Sequence, residues 1–273
     1  MSKPKVFVTR QIPANGLEKV RAVCDAEVWS EPLPPPRDVL LKKVADCDGL
    51  LSLLTEKVDG ELMDAAPRLK VVSNYAVGFN NIDIAAATER GICVGNTPDV
   101  LTDATADMAL TLMLAAGRRL VESNRDTLEG KWKTWEPLGY IGQDLVGKTI
   151  GIVGLGRIGY AVAKRCHGGW DMNVLYYDLR NNDQAENELG AKKVDLDTLL
   201  AESDYVSLHA NLDDSTRGLF NIDTFRKMKS TAVLVNTARG PLVVEPDLVK
   251  ALNEGVIFAA GLDVTDPEPP APD

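Results

Sequence analysis

The sequence predicts an α/β protein, with parallel sheets whose strands are joined by crossover helices. Two observations carry this prediction. Short β-rich runs alternate with amphipathic helical stretches along the whole chain, the signature of repeated strand–helix–strand units. The runs are also apolar on both faces, as strands covered by helices on two sides must be. At about 150 residues per domain, 273 residues correspond to two domains or one large one. A chain of this length buries roughly 70–75% of its unfolded surface and needs no staples to fold.

In the first third the strand candidates are residues 5–9, 27–30, 49–54, 70–74 and 92–95, with helical patterns such as 15–23 and 82–90 between them. Leu33-Pro34-Pro35-Pro36 is a stiff surface loop, because the missing amide donors exclude a helix interior or a central strand. Residues 97–103 close this series and open a long helical run reaching to about Glu129, with Thr102 or Asp103 as its N-cap. Within that run, residues 108–116 are the most apolar helix candidate. They are too short to span a bilayer and read as a buried helix. The domain boundary falls here, giving domains 1–98 and 99–273. A second strand series follows at 149–153, 173–177, 205–208, 232–236 and 259–263.

Thirty Lys and Arg against forty Asp and Glu leave a net charge of -10, which argues against broad binding to nucleic acid or anionic membrane. Four scattered cysteines without a C-x-x-C pair, and only two histidines, predict neither a metal site nor a disulfide framework. Such thiols suit a reducing cytoplasm, and the N-terminus has no signal-peptide-like apolar stretch.

The strongest chemical signal is Gly154-Leu-Gly156-Arg-Ile-Gly159, directly after a predicted strand and opening a predicted helix. In this G-x-G-x-x-G spacing the first glycine permits a tight turn. The second lets backbone approach a pyrophosphate, and the third lets helix pack on strand. Amides of Gly156, Arg157 and Ile158 then face the phosphates from the helix N-terminus. Asp178 ends the next strand candidate, where a carboxylate accepts hydrogen bonds from the adenosine ribose. It favours NAD, while Arg180 two residues later leaves NADP open. The 99–273 domain is therefore expected to be a Rossmann-type doubly wound sheet.

Several further stretches carry a family resemblance. They are Asn74-Tyr-Ala-Val-Gly-Phe-Asn-Asn-Ile-Asp83, residues 96–107, residues 147–159, Val235-Asn-Thr-Ala-Arg-Gly240 and Ala260-Gly-Leu-Asp-Val264. The chain resembles the D-isomer-specific 2-hydroxyacid dehydrogenases, and among them most the glyoxylate and hydroxypyruvate reductases. The resemblance implies a flavodoxin-like substrate domain before the NAD domain. It also implies hydride transfer between a nicotinamide and C2 of a small 2-keto or 2-hydroxy acid. Arg239 matches the family's substrate-binding Arg, a planar, permanent cation able to grip two oxygens. Glu268 matches the acid that pairs with the catalytic His and raises its pKa; without the resemblance it is a solvated charge in a Pro-rich tail. Amides of Val77 and Gly78 match the loop that holds the substrate carboxylate, although these residues alone read as a turn. Thr237, Ala238 and Asp263 match residues near the nicotinamide, His209 a strand-end neighbour of the cofactor, and Thr105 a further cofactor contact. His167, at a helix end, has no catalytic role.

The resemblance places the proton-transferring His after the Glu, in a Thr-Pro-His context, followed by a last strand and a helix returning to the substrate domain. The 273 residues end before it. The expectation is therefore a fragment or truncated product lacking its general acid, slowed by about 10²–10⁴-fold. The alternative is a non-catalytic NAD-binding sensor or corepressor with the same two domains, and Thr-Pro-His downstream of residue 273 would decide against it. Residues 104–135 are similar to the helix and arm through which family members pair. With Trp132 and Trp135 they predict a homodimer, or packing of the arm on its own chain.

Overall fold

The computed structural model describes residues 2–270, so residues 271–273 of the expected Pro-rich tail lie outside the described residues. The chain divides into two units, Met1–Val100 and Leu101–Asp273. Each has its own parallel sheet.

The first unit runs β1 (Lys5–Val8), α1 (Ala14–Val23), β2 (Asp25–Val28), α2 (Arg37–Val44), β3 (Gly49–Ser52), α3 (Gly60–Ala65), β4 (Val71–Asn74), α4 (Ile84–Glu89) and β5 (Cys93–Gly95). Its strands lie in the order β2-β1-β3-β4-β5, the flavodoxin-like arrangement. Phe7, Leu50 and Val72 pack on Leu40, Val44, Leu62, Met63, Ala86 and Ala87. A smaller cluster joins Val8 to Ile12 and Leu17.

Two expectations need correction here. β2 begins two residues earlier than the predicted 27–30, because α1 ends at Val23 and Asp25 pairs at once with Lys5 of β1. Nor are all the strands covered on both faces. β2 and β5 are sheet edges, and β4 alternates, with Val72 and Asn74 buried but Val71 and Ser73 exposed.

The second unit runs α5 (Thr102–Gly117), α6 (Leu120–Leu128), β6 (Thr149–Val153), α7 (Arg157–Trp170), β7 (Asn173–Tyr177), α8 (Asp183–Leu189), β8 (Lys192–Lys193), α9 (Leu196–Glu202), β9 (Tyr205–Leu208), α10 (Ile222–Phe225), β10 (Val233–Asn236), α11 (Glu245–Asn253) and β11 (Ala259–Leu262). The strand order β11-β10-β9-β6-β7-β8 is that of the Rossmann doubly wound sheet. β8 was not expected, since two exposed lysines carry no apolar signal.

The register of this sheet sets up the site. Val153 pairs with Tyr177 on one side and Leu208 on the other, Leu208 pairs with Asn236, and Asn236 pairs with Leu262. Five adjacent strands therefore end level. The next residue of each, Asp178, Gly154, His209, Thr237 and Asp263, leaves the sheet in one row along its carboxyl edge.

The long helical run to Glu129 is two helices. α5 stops at Gly117, where a Cβ would stand 2.8 Å from the buried Tyr205 hydroxyl, and Gln143 N donates to Gly117 O at 2.8 Å. Arg119 then takes a left-handed φ of 53° before α6. The expected N-cap is also displaced. Leu101 occupies it without a side-chain hydrogen bond, and Thr102 and Asp103 are already helical. The Asp103 and Asp107 carboxylates instead hold Arg165 of α7 at 2.8 and 2.9 Å. The stretch 108–116 is buried on one face only: Ala109 and Met113 lie in the core, while Met108 is 42% exposed.

Candidate active site

The turn after β6 forms a cradle at the N-terminus of α7. Gly154 has a φ of 89°, and a Cβ there would stand 2.6 Å from Ala210 N. A Cβ on Gly159 would lie 2.3 Å from Gly154 O, so α7 packs close to the turn only because that residue is glycine. Gly156, the N-cap, is different: its Cβ would meet nothing within 4 Å, and no side chain caps the helix. The first-turn amides, including those of Arg157 and Ile158, thus border open space at the positive end of a 14-residue helix. These features fit a dinucleotide pyrophosphate. Asp178 stands beside the cradle, its Oδ2 accepting from Leu155 N at 2.8 Å and its Oδ1 from Arg180 N at 3.1 Å.

Further along the row, Thr237 Oγ1 is buried without a hydrogen-bond partner among the described residues. A buried hydroxyl left unmet is uncommon, and it fits a polar group of a bound cofactor. His209 Nε2 lies 2.8 Å from Ser207 Oγ, and burial pulls the imidazole down to about 4, so the ring is neutral at pH 7. Its partner is a neighbouring hydroxyl, not the backbone. Asp263 is exposed, and its N–H donates to Asn236 O at 3.0 Å. Thr105 lies half-buried in the first turn of α5, which packs on α7 through Ala106 and Ala109. His167 Nδ1 is 3.2 Å from Met172 O at the far end of α7, away from the row.

Arg239 feels the charge of Glu268 although the two are far apart in sequence. Burial lowers the pKa of the half-buried Arg239 guanidinium, and the Glu268 carboxylate opposes that shift. Asn236, 1% exposed, shapes this corner: its Nδ2 donates to Arg239 O at 2.9 Å and its Oδ1 accepts from Ala238 N at 3.0 Å. Sequence reasoning passed over Asn236, although it stands inside the Asn-Thr-Ala-Arg-Gly stretch.

In the first unit, Val77 and Gly78 lie in the loop after β4. Their backbone N–H groups donate no hydrogen bond within the described residues. Both point in fixed directions. A trans peptide is planar, so pinning a carbonyl aims the N–H of the same unit the opposite way. Thr97 N holds Ala76 O at 2.9 Å, which orients the Val77 N–H. Asn96 Nδ2 holds Val77 O at 2.8 Å, which orients the Gly78 N–H.

Residues 110–273 match the family model "D-isomer specific 2-hydroxyacid dehydrogenase, NAD binding domain". The chain belongs to the D-isomer-specific 2-hydroxyacid dehydrogenase family. It is 50% identical over 272 residues to a glyoxylate reductase of Korarchaeum cryptofilum, covering 99% of this chain and 82% of that protein. It is 53% identical over 271 residues to a glyoxylate reductase of Thermococcus kodakarensis, covering 98% and 81%. Among solved structures it is similar to the TT0316 protein from Thermus thermophilus, with a TM-score of 0.90 and 45% identity over 98% of this chain and 84% of the other. The chain is thus an oxidoreductase of this family with a Rossmann-type domain that binds NAD. Nothing among these relatives supports the sensor or corepressor alternative. Among the described residues, no group of three or more His, Cys, Asp or Glu side chains is placed to hold a metal ion. No helix there is long and apolar enough to cross a membrane.

Proposed function

We propose that this family member reduces a small 2-keto acid, glyoxylate or hydroxypyruvate, to its 2-hydroxy acid with NADH, NADPH being the second choice. The observation that carries this reading is the single row of Gly154, Asp178, His209, Thr237 and Asp263, with Arg239 two residues beyond Thr237. The names of the relatives point to glyoxylate.

In this reading residues 1–98 form the substrate domain and 99–273 the cofactor domain. When bound, the dihydronicotinamide supplies the hydride that goes to C2, and a proton goes to the carbonyl oxygen. Gly154, Gly156, Arg157, Ile158 and Gly159 hold the pyrophosphate, and Asp178 holds the ribose. Thr105, His209, Thr237, Ala238 and Asp263 surround the rest of the cofactor. Arg239 grips the substrate carboxylate and carbonyl oxygens, its field strengthened by partial burial. The Val77 and Gly78 amides take the carboxylate. Glu268, beside Arg239, is the acid that pairs with the family's proton-transferring His.

Calorimetry tests this directly. The protein should bind NADH, and the NADH-loaded protein should bind oxamate, an unreactive isostere of a 2-keto acid. Arg239→Gln should weaken oxamate binding by about a hundredfold, the scale of a lost charge-assisted bidentate pair, with little change for NADH. Failure to bind NADH, or oxamate binding indifferent to Arg239, would overturn the assignment.

We also infer a cytoplasmic homodimer formed through the segment around α6. Trp132, Trp135 and Leu138 there are 69%, 77% and 81% exposed, an apolar surface rich in aromatics of the kind interfaces use. Trp132 Nε1 donates to Thr134 O at 2.7 Å, yet the ring stays exposed, which favours pairing with a second copy over packing on its own chain. Sedimentation should give a dimer, and Trp135→Asp should yield monomer.

A further inference from the structure

The first unit holds a buried carboxylate that the proposed chemistry leaves unused. Glu56 is 3% exposed, in the loop after β3. Its Oε2 accepts from the Thr9 hydroxyl at 2.6 Å and from Leu53 N at 2.7 Å, and its Oε1 accepts from the Thr55 hydroxyl at 2.5 Å. Arg10 Nη2 stands 3.9 Å away. Burying a carboxylate is costly unless its oxygens are satisfied, and a plain turn requires no such group.

The network continues into the next loop. Asn81 Nδ2 donates to Glu56 O at 3.0 Å and to Leu53 O at 2.9 Å, while Val58 N donates to Asn81 O at 2.8 Å. Asn74 Nδ2 donates to Asn81 Oδ1 at 3.1 Å and to Gly78 O at 2.8 Å, and the Ser52 hydroxyl donates to Asn74 Oδ1 at 2.9 Å. The loops after β1, β3 and β4 are thereby tied into one body. The loop carrying the Val77 and Gly78 amides is joined to the Glu56 turn through Asn74 and Asn81.

We infer that Glu56 is a positioning residue for substrate recognition: by fixing the turn after β3 it holds the Val77–Gly78 amides ready for the keto-acid carboxylate. The inference rests on the functional reading above. A preformed anion site loses affinity when its donors must be ordered on binding, whereas cofactor contacts made by the second unit are untouched.

The test is calorimetry of NADH, and then of oxamate on the NADH-loaded protein. Glu56→Gln keeps the shape but replaces one acceptor oxygen with an amide donor facing other donors. It should raise the oxamate Kd about tenfold and leave the NADH Kd within about twofold. Thr9→Val should shift oxamate in the same direction by less, and Thr9→Ser, which restores the hydroxyl, should return it to the wild-type value. In Glu56→Gln, amide hydrogen exchange should speed up in residues 75–81 as well as in 53–57. Unchanged oxamate affinity in both Glu56→Gln and Thr9→Val would overturn the inference while leaving the keto-acid reading intact. So would equal losses for oxamate and NADH, the mark of a merely structural residue. A wild-type protein that binds NADH but not oxamate would overturn the keto-acid reading itself, and the role of Glu56 with it.

Discussion

Gly240 lies against the backbone of Thr265, so closely that a Cβ at position 240 would stand 1.9 Å from the Thr265 carbonyl oxygen. This contact lays the segment leading to Glu268 over the loop that carries Arg239. A second tie, Asp266 N to Glu245 Oε1 at 2.6 Å, holds the same segment on α11. Gly240→Ala should push the segment away. Expected are a loss of about 1–3 kcal/mol in unfolding free energy, the usual cost of overpacking, and weaker oxamate binding with the NADH affinity retained. Denaturant unfolding and calorimetry check the two halves separately.

The glycines of the cradle should fail in different ways. Gly154→Ala forces a side chain into a left-handed backbone and against Ala210, so both melting temperature and NADH affinity should fall. Gly156→Ala meets only open space. It should leave the melting temperature unchanged while weakening NADH by about tenfold or more, because the methyl would occupy the room the phosphates need. A Gly156→Ala protein with normal NADH affinity would place the cofactor elsewhere.

Asp178 bears on cofactor choice. Asp178→Ala removes the proposed ribose acceptor and frees the Leu155 and Arg180 amides that now donate to it. NADH affinity should drop by about tenfold, and the preference should move toward NADPH, since the carboxylate that repels a 2′-phosphate is gone. Paired titrations with the two cofactors measure the ratio, which should not move if Asp178 is merely a turn residue.

Acid stability should carry the mark of Asp59. Burial alone would raise its pKa, but Arg37, Lys57 and the Leu62 N–H outweigh it and hold the carboxyl down at about 2 against an ordinary 3.8. Its contribution is complete above pH 4 and disappears as the pH falls from about 4 to about 2, amounting to about 1 kcal/mol after solvent screening of its exposed partners. Asp59→Asn should lose that amount at neutral pH and should unfold with a flatter pH dependence across this window. Urea titrations of both proteins between pH 2 and 5 give the difference directly.

The second unit was the more legible part of the sequence. Its central strands are buried on both faces, so β6, β7 and β9 begin and end where their apolar runs do. In the first unit the edge strand β2 carries a weak pattern, and its register follows from pairing with β1 instead. The glycine cradle was readable because its spacing joins two close approaches, at Gly154 and Gly159, to the open space at Gly156. The break at Arg119 was not, since an arginine in a left-handed conformation gives no compositional signal. Asn236 and Glu56 escaped notice for another reason. The Asn236 side chain bonds within its own loop, to Ala238 N and Arg239 O, which leaves no pattern in the spacing, while the distant partner of Glu56, Thr9, is brought near only by the pairing of β1 with β3.

The level ends of five strands carry a consequence for how such a protein can change. The cofactor contacts proposed for it come from separate stretches of chain united by hydrogen-bond register alone. Inserting one residue within any of those strands would move a contact by about 3.3 Å and turn its side chain to the opposite face. Lengthening helices, or the connections at the opposite rim, leaves the alignment undisturbed. Descendants of this chain are thus free to grow at one edge of the sheet and held to a fixed count at the other.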